Sequence, residues 1–461
     1  MISMPRQIIV IGCGTAGAAA TLMARKTDRN ATITIIQGES LPEYSRCGLP
    51  YTVNKKIPNM EDVIIHPNTF YTGNLVRANL LLDTLALSLD IKKKRVEIKT
   101  PDEGSDHLAY DALVLATGAE PSTPPINGLD APHVHRLHTF NDAKKLQAVA
   151  KTGKKAVIIG AGLVGLETAE ALHSLGLKIT VVEFLNQVLP AMLDEEIATL
   201  VQERMEDEGI VLKLGTAAKT VTDTEVVMAD RETQTEFQVE ADIVVVATGV
   251  RANTTLAQGA GVKLGERKGI LVNDQMLTSV PDVYAAGDCA EHLDLVTGQT
   301  VVSGLGSVAL RQGEVAGTNA AGGKAKLDGV VLARTTHLFG LEVAGVGPTR
   351  VAAELANLPI LAGKFKGSRT AEYYPSDEEV TIKLLANKDS GRLIGGQAIG
   401  PCAHQRANIL SAALAAKMTI QQVADLETCY APPVAPIREP LTMAAQILAL
   451  RYERMQQKQQ K

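Results

Sequence analysis

The sequence predicts an α/β chain built on two copies of one strand–turn–helix–strand unit, with a smaller α+β domain after them. Three observations predict it. An apolar strand runs into a glycine-spaced turn and a helix at Gly12-x-Gly14-x-x-Gly17, and again at Gly160-x-Gly162-x-x-Gly165. Each copy is followed by a later apolar strand ending in Ala-Thr-Gly, at Ala116-Thr117-Gly118 and at Ala247-Thr248-Gly249. After Gly323 the composition shifts to short strands and helices that carry no such motif.

In the first copy Gln7–Ile11 is the strand, Ala18–Arg25 the Ala-rich helix and Thr32–Ile36 the closing strand. The glycines permit a tight turn, close approach of backbone N–H groups to a pyrophosphate, and close helix–strand contact; the helix N-terminus favours negative charge. Between a strand and a helix this spacing marks a Rossmann-like dinucleotide site, with Thr15 and Ala16 inside the loop. The acid expected at the end of the second strand is replaced by Gln37, ahead of Gly38. A Gln amide can still hydrogen-bond a ribose diol, and Glu39 is close by.

Phe70–Leu75 then reads as helix, and Thr84–Leu89 and Arg95–Ile98 as strands joined by a solvated turn at Lys92-Lys93-Lys94. Tyr110–Gly118 is a buried-type strand and Pro121–Pro125 a linker. In the second copy Lys155–Ile159 leads through Gly160–Gly165, with Leu163 and Val164 between the last two glycines, into a helix to about Leu175. The strand Lys178–Val182 ends in Glu183, whose carboxylate suits a ribose diol and would repel a 2′-phosphate. Phe184-Leu185-Asn186 supply no arginine to neutralise one, so NADH is predicted over NADPH. Glu167 either faces the nicotinamide or complements the positive helix end. Two dinucleotide folds imply two-cofactor redox chemistry. After the strand Asp242–Ala247 comes Val283–Asp288, whose Gly287-Asp288 end can hydrogen-bond a polyol. The helix Leu305–Thr318, with Ser307 and Ala309 near its start, follows Gly304, and Gly304-Leu305-Gly306 lets a flat ring approach. In the last domain Val330–Thr335, Leu341–Val346, Glu379–Leu385 and Leu393–Ile399 read as strands, and Val351–Asn357 and Gln405–Lys417 as helices.

The chemistry centres on Glu43-Tyr44-Ser45-Arg46-Cys47-Gly48-Leu49-Pro50-Tyr51, where a soft nucleophile stands beside a cation and a Gly/Pro bend. A thiol reacts as thiolate, and a neighbouring Arg or helix N-terminus favours that form. The five cysteines, Cys13, Cys47, Cys289, Cys402 and Cys429, form no CxxC pair, so neither a metal site nor a disulfide framework is expected. A chain of 461 residues suggests two to four domains. A net charge of −5 argues against nucleic acid as partner, and 3% aromatics with no Trp argue against base stacking. No secretory signal and no membrane span are read, and a reducing cytoplasm is expected.

The ordered motifs GCGTAG, YSRCGLPY, LATG, GAGLVGLE, VATG, AAGD and CYAPP resemble the pyridine nucleotide-disulfide oxidoreductases. The similar subgroup is the single-cysteine one of coenzyme A-disulfide reductase, NADH:persulfide reductase and NADH oxidase. The resemblance implies an FAD domain at 1–118 and 245–325, an NAD(P)H domain at 119–244 and a C-terminal α+β dimerisation domain at 326–461, in a homodimer. It places Gly12, Gly14, Gly17 and Asp288 on FAD, with Asp288 at the ribitol, and Gly160, Gly162, Gly165 and Glu183 on NADH. Thr15, Ala16, Gln37, Gly38, Ala116, Thr117, Gly118, Leu163, Val164, Glu167, Gly249, Gly287, Ser307 and Ala309 complete the expected cofactor contacts. Cys47 would sit beside the isoalloxazine, and Tyr430 with Tyr373 or Tyr374 would reach the partner subunit's cysteine.

Departures narrow the chemistry. Thr52 stands where two-cysteine reductases of the family carry a second Cys, so Cys47 would cycle alone as mixed disulfide, persulfide or sulfenic acid. Thr15 stands where peroxidases and many oxidases of the family carry His. Arg25 and Lys26 match the phosphate-binding residues of coenzyme A-disulfide reductases; Arg77, Arg46 and Glu43 complete the candidate substrate set. No rhodanese domain is expected to follow the C-terminal domain. The expected activity is NADH-dependent reduction of a small disulfide or persulfide, with coenzyme A among the candidate substrates. An NADH oxidase and an electron-transfer subunit of a larger redox complex are the alternatives.

Overall fold

The computed structural model describes residues 4–102 and 104–459. β1 (Gln7–Ile11), α1 (Thr15–Thr27) and β2 (Thr32–Ile36) form the first unit, with β1 and β2 parallel from Gln7 opposite Thr32 to Ile11 opposite Ile36. β3 (Ala78–Leu81) extends the sheet beyond β2, and β4 (Ala112–Leu115) pairs on the other side of β1. All of β4 is buried, which is why it reads as a continuous apolar run. The helix expected at Phe70–Leu75 lies at Asn68–Thr72 and stops at Gly73, whose N–H closes on the Thr69 carbonyl. The lysine turn forms as expected, with Lys92 and Lys93 exposed; Lys94 instead donates to Asp282 at 2.6 Å.

The chain crosses out of this unit at residues 119–121 and back at 250–252, and these segments pair as a two-stranded antiparallel ribbon. The expected linker at Pro121–Pro125 therefore begins inside a strand. Between the crossings β5 (Lys155–Ile159), α2 (Leu163–Ser174) and β6 (Lys178–Val182) repeat the first unit, with β7 (Ile243–Val246) parallel on the far side of β5. Residues 245 and 246 thus belong to the second sheet, a small shift from the expected boundary. β8 (Val283–Ala285) then returns to pair with β4 and completes the first sheet in the order β8-β4-β1-β2-β3.

α3 (Gly306–Ala320) crosses α1 at very short range. A Cβ added at Gly313 would lie 2.2 Å from the Ala16 carbonyl oxygen, and one at Gly317 2.0 Å from that of Ala20. Small residues on both helices let the two backbones meet directly.

The last domain is an antiparallel sheet of β9 (Arg334–Leu338), β10 (Leu341–Val346), β11 (Ile360–Ser368), β12 (Glu379–Asn387) and β13 (Leu393–Ile399), in the order β9-β10-β13-β12-β11. α4 (Ala403–Ala415) and α5 (Pro440–Gln459) flank it. The strand expected at Val330–Thr335 starts only at Arg334, because Leu332 takes a left-handed φ of 54° that breaks the extended run. β11 and α5 are additions to the sequence reading. A buried ion pair joins this domain to the second unit: Lys383 Nζ lies 2.5 Å from Asp194 Oδ2, with side chains 1% and 4% exposed. Glu196 also contacts the ammonium, and Asp194 Oδ1 accepts the Arg350 N–H at 2.7 Å.

Candidate active site

Cys47 sits in a 3-10 turn, Arg46–Gly48, closed by the Gly48 N–H donating to Ser45 Oγ at 3.1 Å. The short helix Leu49–Val53 follows at once, with Pro50 in its first turn, so the residue is exposed at the mouth of a bend. Arg46 does not serve the sulfur as expected. Its guanidinium donates to Glu39 Oε1 at 2.7 Å and to the His138 carbonyl at 2.6 Å, and lies 5.2 Å from the Tyr44 ring centroid. It fastens the loop to the second unit. Desolvation of the sulfur pushes the Cys47 thiol pKa up, and the charges of Glu167 and Asp288 push it further.

That electrostatic reach also shows what the fold gathers at the sulfur: Cys47 from the loop after β2, Glu167 from α2 and Asp288 from the segment after β8. Glu167 lies beyond the first turn of α2, so it is no helix-end complement. Its Oε1 accepts a 2.7 Å bond from Thr336 Oγ1 in β9, and burial raises its pKa. Asp288 has no side-chain hydrogen-bond partner among the described residues, and burial raises its pKa too, partly offset by the Arg46 charge. A carboxyl group so placed fits a ligand that brings hydroxyl donors.

Both glycine loops fit a pyrophosphate. At Gly12 (φ +99°) and Gly160 (φ +109°) an added Cβ would lie 2.2 and 2.4 Å from the carbonyl oxygens of Ala116 and Ala247. At Gly17 and Gly165 it would meet the Gly12 and Gly160 oxygens at 1.9 and 2.0 Å. At the middle glycines, Gly14 and Gly162, it would meet no atom within 4 Å. The outer glycines close the turn, and the middle one leaves backbone facing outward.

Gln37 and Glu183 turn out to do one job twice. Gln37 Oε1 accepts the Cys13 N–H at 2.9 Å, and Glu183 Oε2 accepts the Ala161 N–H at 2.7 Å, so each pins the residue after the first glycine. Gln37 Nε2 also donates to the Leu41 carbonyl at 3.1 Å, a bond a carboxylate could not make. Glu183 Oε1 accepts from the Leu185 N–H at 2.9 Å. Around the second loop a cleft of about 870 Å3 opens, lined by Gly160, Gly162, Leu163, Val164, Glu183 and Gly249 among others. Its size suits a cofactor site. Arg231, absent from the local sequence reading, lies with its guanidinium 3.9 Å from the Phe184 ring centroid and donates to the Phe184 carbonyl at 2.9 Å. The three residues after Glu183 hold no arginine, as read, but the fold brings this hairpin arginine onto Phe184 from a distance in the chain.

Of the remaining expected cofactor contacts, Ala16 approaches Gly287, where an added Cβ would lie 2.9 Å from the Ala16 Cβ. The Gly287 N–H donates to Gln312 Oε1 at 2.8 Å, Ala309 is buried on α3, and Ser307 is exposed in its first turn. Thr15 opens α1, and Ala116 closes on Gly12. An added Cβ at Gly38 would lie 3.0 Å from Leu85 Cδ2, and one at Gly118 would meet no atom within 4 Å. Thr117 Oγ1 is taken by the Asn253 carbonyl at 2.6 Å.

Two candidate substrate residues are corrected. Arg25 is 8% exposed and donates to the carbonyls of Val76 and Arg29 at 2.7 Å each, clamping the end of α1 rather than facing an anion. Glu43 is 7% exposed, with Oε2 2.8 Å from His66 Nδ1 and 3.1 Å from the Tyr71 hydroxyl, and so anchors the cysteine loop from inside. Arg77 gives one nitrogen to the Arg29 carbonyl at 2.6 Å, and Lys26 is exposed. The tyrosines meet: Tyr373 and Tyr430 join hydroxyl to hydroxyl at 2.6 Å, both exposed, while Tyr374 stands outside the pair.

The pyridine nucleotide-disulphide oxidoreductase family model matches residues 6–313, and that of the family's dimerisation domain matches residues 334–440. A relative named NADH oxidase, from Methanocaldococcus jannaschii, is 38% identical over 441 residues, covering 95% of this chain and 97% of its own. A CoA-dependent NAD(P)H sulfur oxidoreductase from Pyrococcus abyssi is 29% identical over 459 residues, covering 97% and 99%. The solved structure of an NAD-dependent persulfide reductase from A. fulgidus superposes with a TM-score of 0.93 at 35% identity, covering 97% of this chain and 84% of that one. With residues 6–313 and 334–440 both matched, the chain belongs to the pyridine nucleotide-disulphide oxidoreductase family.

Proposed function

We propose that the protein is an FAD-dependent NADH oxidoreductase that reduces a small disulfide or persulfide through Cys47, as a homodimer in a reducing cytoplasm. The observation that carries this reading is one exposed thiol at the junction of two dinucleotide folds, with Thr52 in place of a second cysteine. FAD and NAD(P)H belong to the family, and once bound they supply the electron pair. The chain's own residues do the rest. Gly14 and Gly162 present backbone to the two pyrophosphates, Asp288 accepts a ribitol hydroxyl, and Glu183 accepts from the adenosine ribose. The thiolate of Cys47 attacks the substrate's sulfur–sulfur bond, forming a mixed disulfide and releasing the first thiol or hydrosulfide. Two electrons then cleave the mixed disulfide and free the second. Tyr430 of the partner subunit, its hydroxyl held by the partner's Tyr373, protonates or hydrogen-bonds the leaving sulfur. Lys26 and Arg77 are the cations left to meet a phosphate-bearing substrate such as a coenzyme A derivative.

Cys47→Ser tests the reading. FAD should stay bound and be reduced by NADH in a stopped-flow experiment, while disulfide and persulfide turnover disappears; unchanged turnover would refute the assignment. The relative from Methanocaldococcus jannaschii favours a second reading, NADH oxidase. Oxygen uptake with NADH alone separates the two, since rapid uptake without any sulfur substrate belongs to the oxidase.

A further inference from the structure

A second cavity, of about 400 Å3, shares Arg334 with the dinucleotide cleft. It lies between the start of α3, residues 327–335 and α4. Its polar lining is Ser307, Arg311, Arg334, Thr335, His404, Asn408 and Ser411; the remainder is aliphatic, and no carboxylate among the described residues lines it. A partly buried cation is costly unless something pairs with it. Arg334 makes no ion pair among the described residues, and its one hydrogen bond there is a long 3.4 Å contact to the Ala191 carbonyl. Desolvation holds its pKa below the usual guanidinium value, against the opposing charge of Asp294. Arg311 is exposed, again without a partner among the described residues. His404 Nδ1 lies 2.7 Å from Glu342 Oε2, which leaves the other ring nitrogen for a ligand.

We propose that this cavity binds a small anion with a compact apolar body, such as a phosphate ester, and that the bound anion weakens dinucleotide binding by drawing Arg334 from the cleft wall. The site is separate from Cys47 and does not depend on the sulfur chemistry proposed for it, although it borders Ser307, an expected cofactor contact. Coupling of this kind is reciprocal, so a dinucleotide must weaken the anion by the same factor.

The test is calorimetric titration of the FAD-loaded homodimer with phenyl phosphate, with and without saturating NAD+. One saturable site per protomer is expected in both conditions, weakened about fivefold or more by NAD+. Arg311→Gln combined with His404→Gln should weaken phenyl phosphate about tenfold or more, through loss of charge-assisted bonds, while flavin content and flavin reduction by NADH stay as they were. Arg334→Gln should abolish the mutual weakening. Absence of saturable binding, binding indifferent to the double substitution, or complete exclusion by NAD+ would overturn the site; the last would place the probe in the dinucleotide cleft. Binding with no mutual effect would overturn the role given to Arg334. Disulfide turnover is not read, so failure here leaves the Cys47 assignment standing.

Discussion

Cys47 is held by charges that work against its ionisation. Desolvation by the surrounding protein comes first, although the residue is exposed at the bend, and Glu167 and Asp288 add to it. Glu167→Gln removes one of those charges and keeps an acceptor for Thr336, so the thiol should ionise at lower pH. Alkylation of the FAD-free protein by iodoacetamide, followed against pH, should shift its midpoint downward in the variant; an unmoved midpoint would mean that Glu167 does not act on the sulfur. At the adenosine end, Arg231 stands on Phe184 beside Glu183. Arg231→Ala should leave NADH binding nearly unchanged and weaken NADPH about tenfold by fluorescence titration, the scale of one lost charge-assisted bond. Equal losses for both nucleotides would make Arg231 a prop for Phe184. The residue scale is where the sequence was least readable. Arg46 reaches a carbonyl 92 positions away, Arg25 one 51 away and Arg231 one 47 away. No local spacing encodes such destinations, so a cation next to a cysteine read as its activator.

At the scale of elements, the glycine loops, their strands and their helices were legible because the constraint is local: strand, turn and helix follow within a dozen residues and leave little choice of residue type. The strand placed at Val330 failed for the complementary reason, since a β-branched run does not reveal that Leu332 will take a positive φ. The junction between the second unit and the last domain rests on Lys383, Asp194 and Glu196. Lys383→Met leaves Asp194 buried without its partner and should cost about 3–5 kcal/mol of stability, because breaking one side of a buried pair strands the other charge. Urea unfolding checks it, and a loss below about 1 kcal/mol, the range of a surface pair, would show the pair to be solvated.

Across the whole molecule, the dimerisation domain brings the exposed pair Tyr373–Tyr430 into play. Tyr430→Phe should slow disulfide turnover roughly tenfold to a hundredfold, the worth of one hydrogen bond to a charged group, while leaving flavin reduction by NADH intact. Loss of both steps would mean that the tyrosine supports the fold instead. The two-stranded ribbon at 119–121 and 250–252 has a further consequence. Everything between those strands is an insertion with neighbouring ends, so the second unit is a cassette that a homologous segment could replace by cutting the gene at just two places. Contacts outside the ribbon limit such a transplant, among them Arg46 with the His138 carbonyl, Asp194 with Lys383, and Glu167 with Thr336. A graft that carries both acids should dock on the existing C-terminal sheet and bring its own nucleotide preference with it.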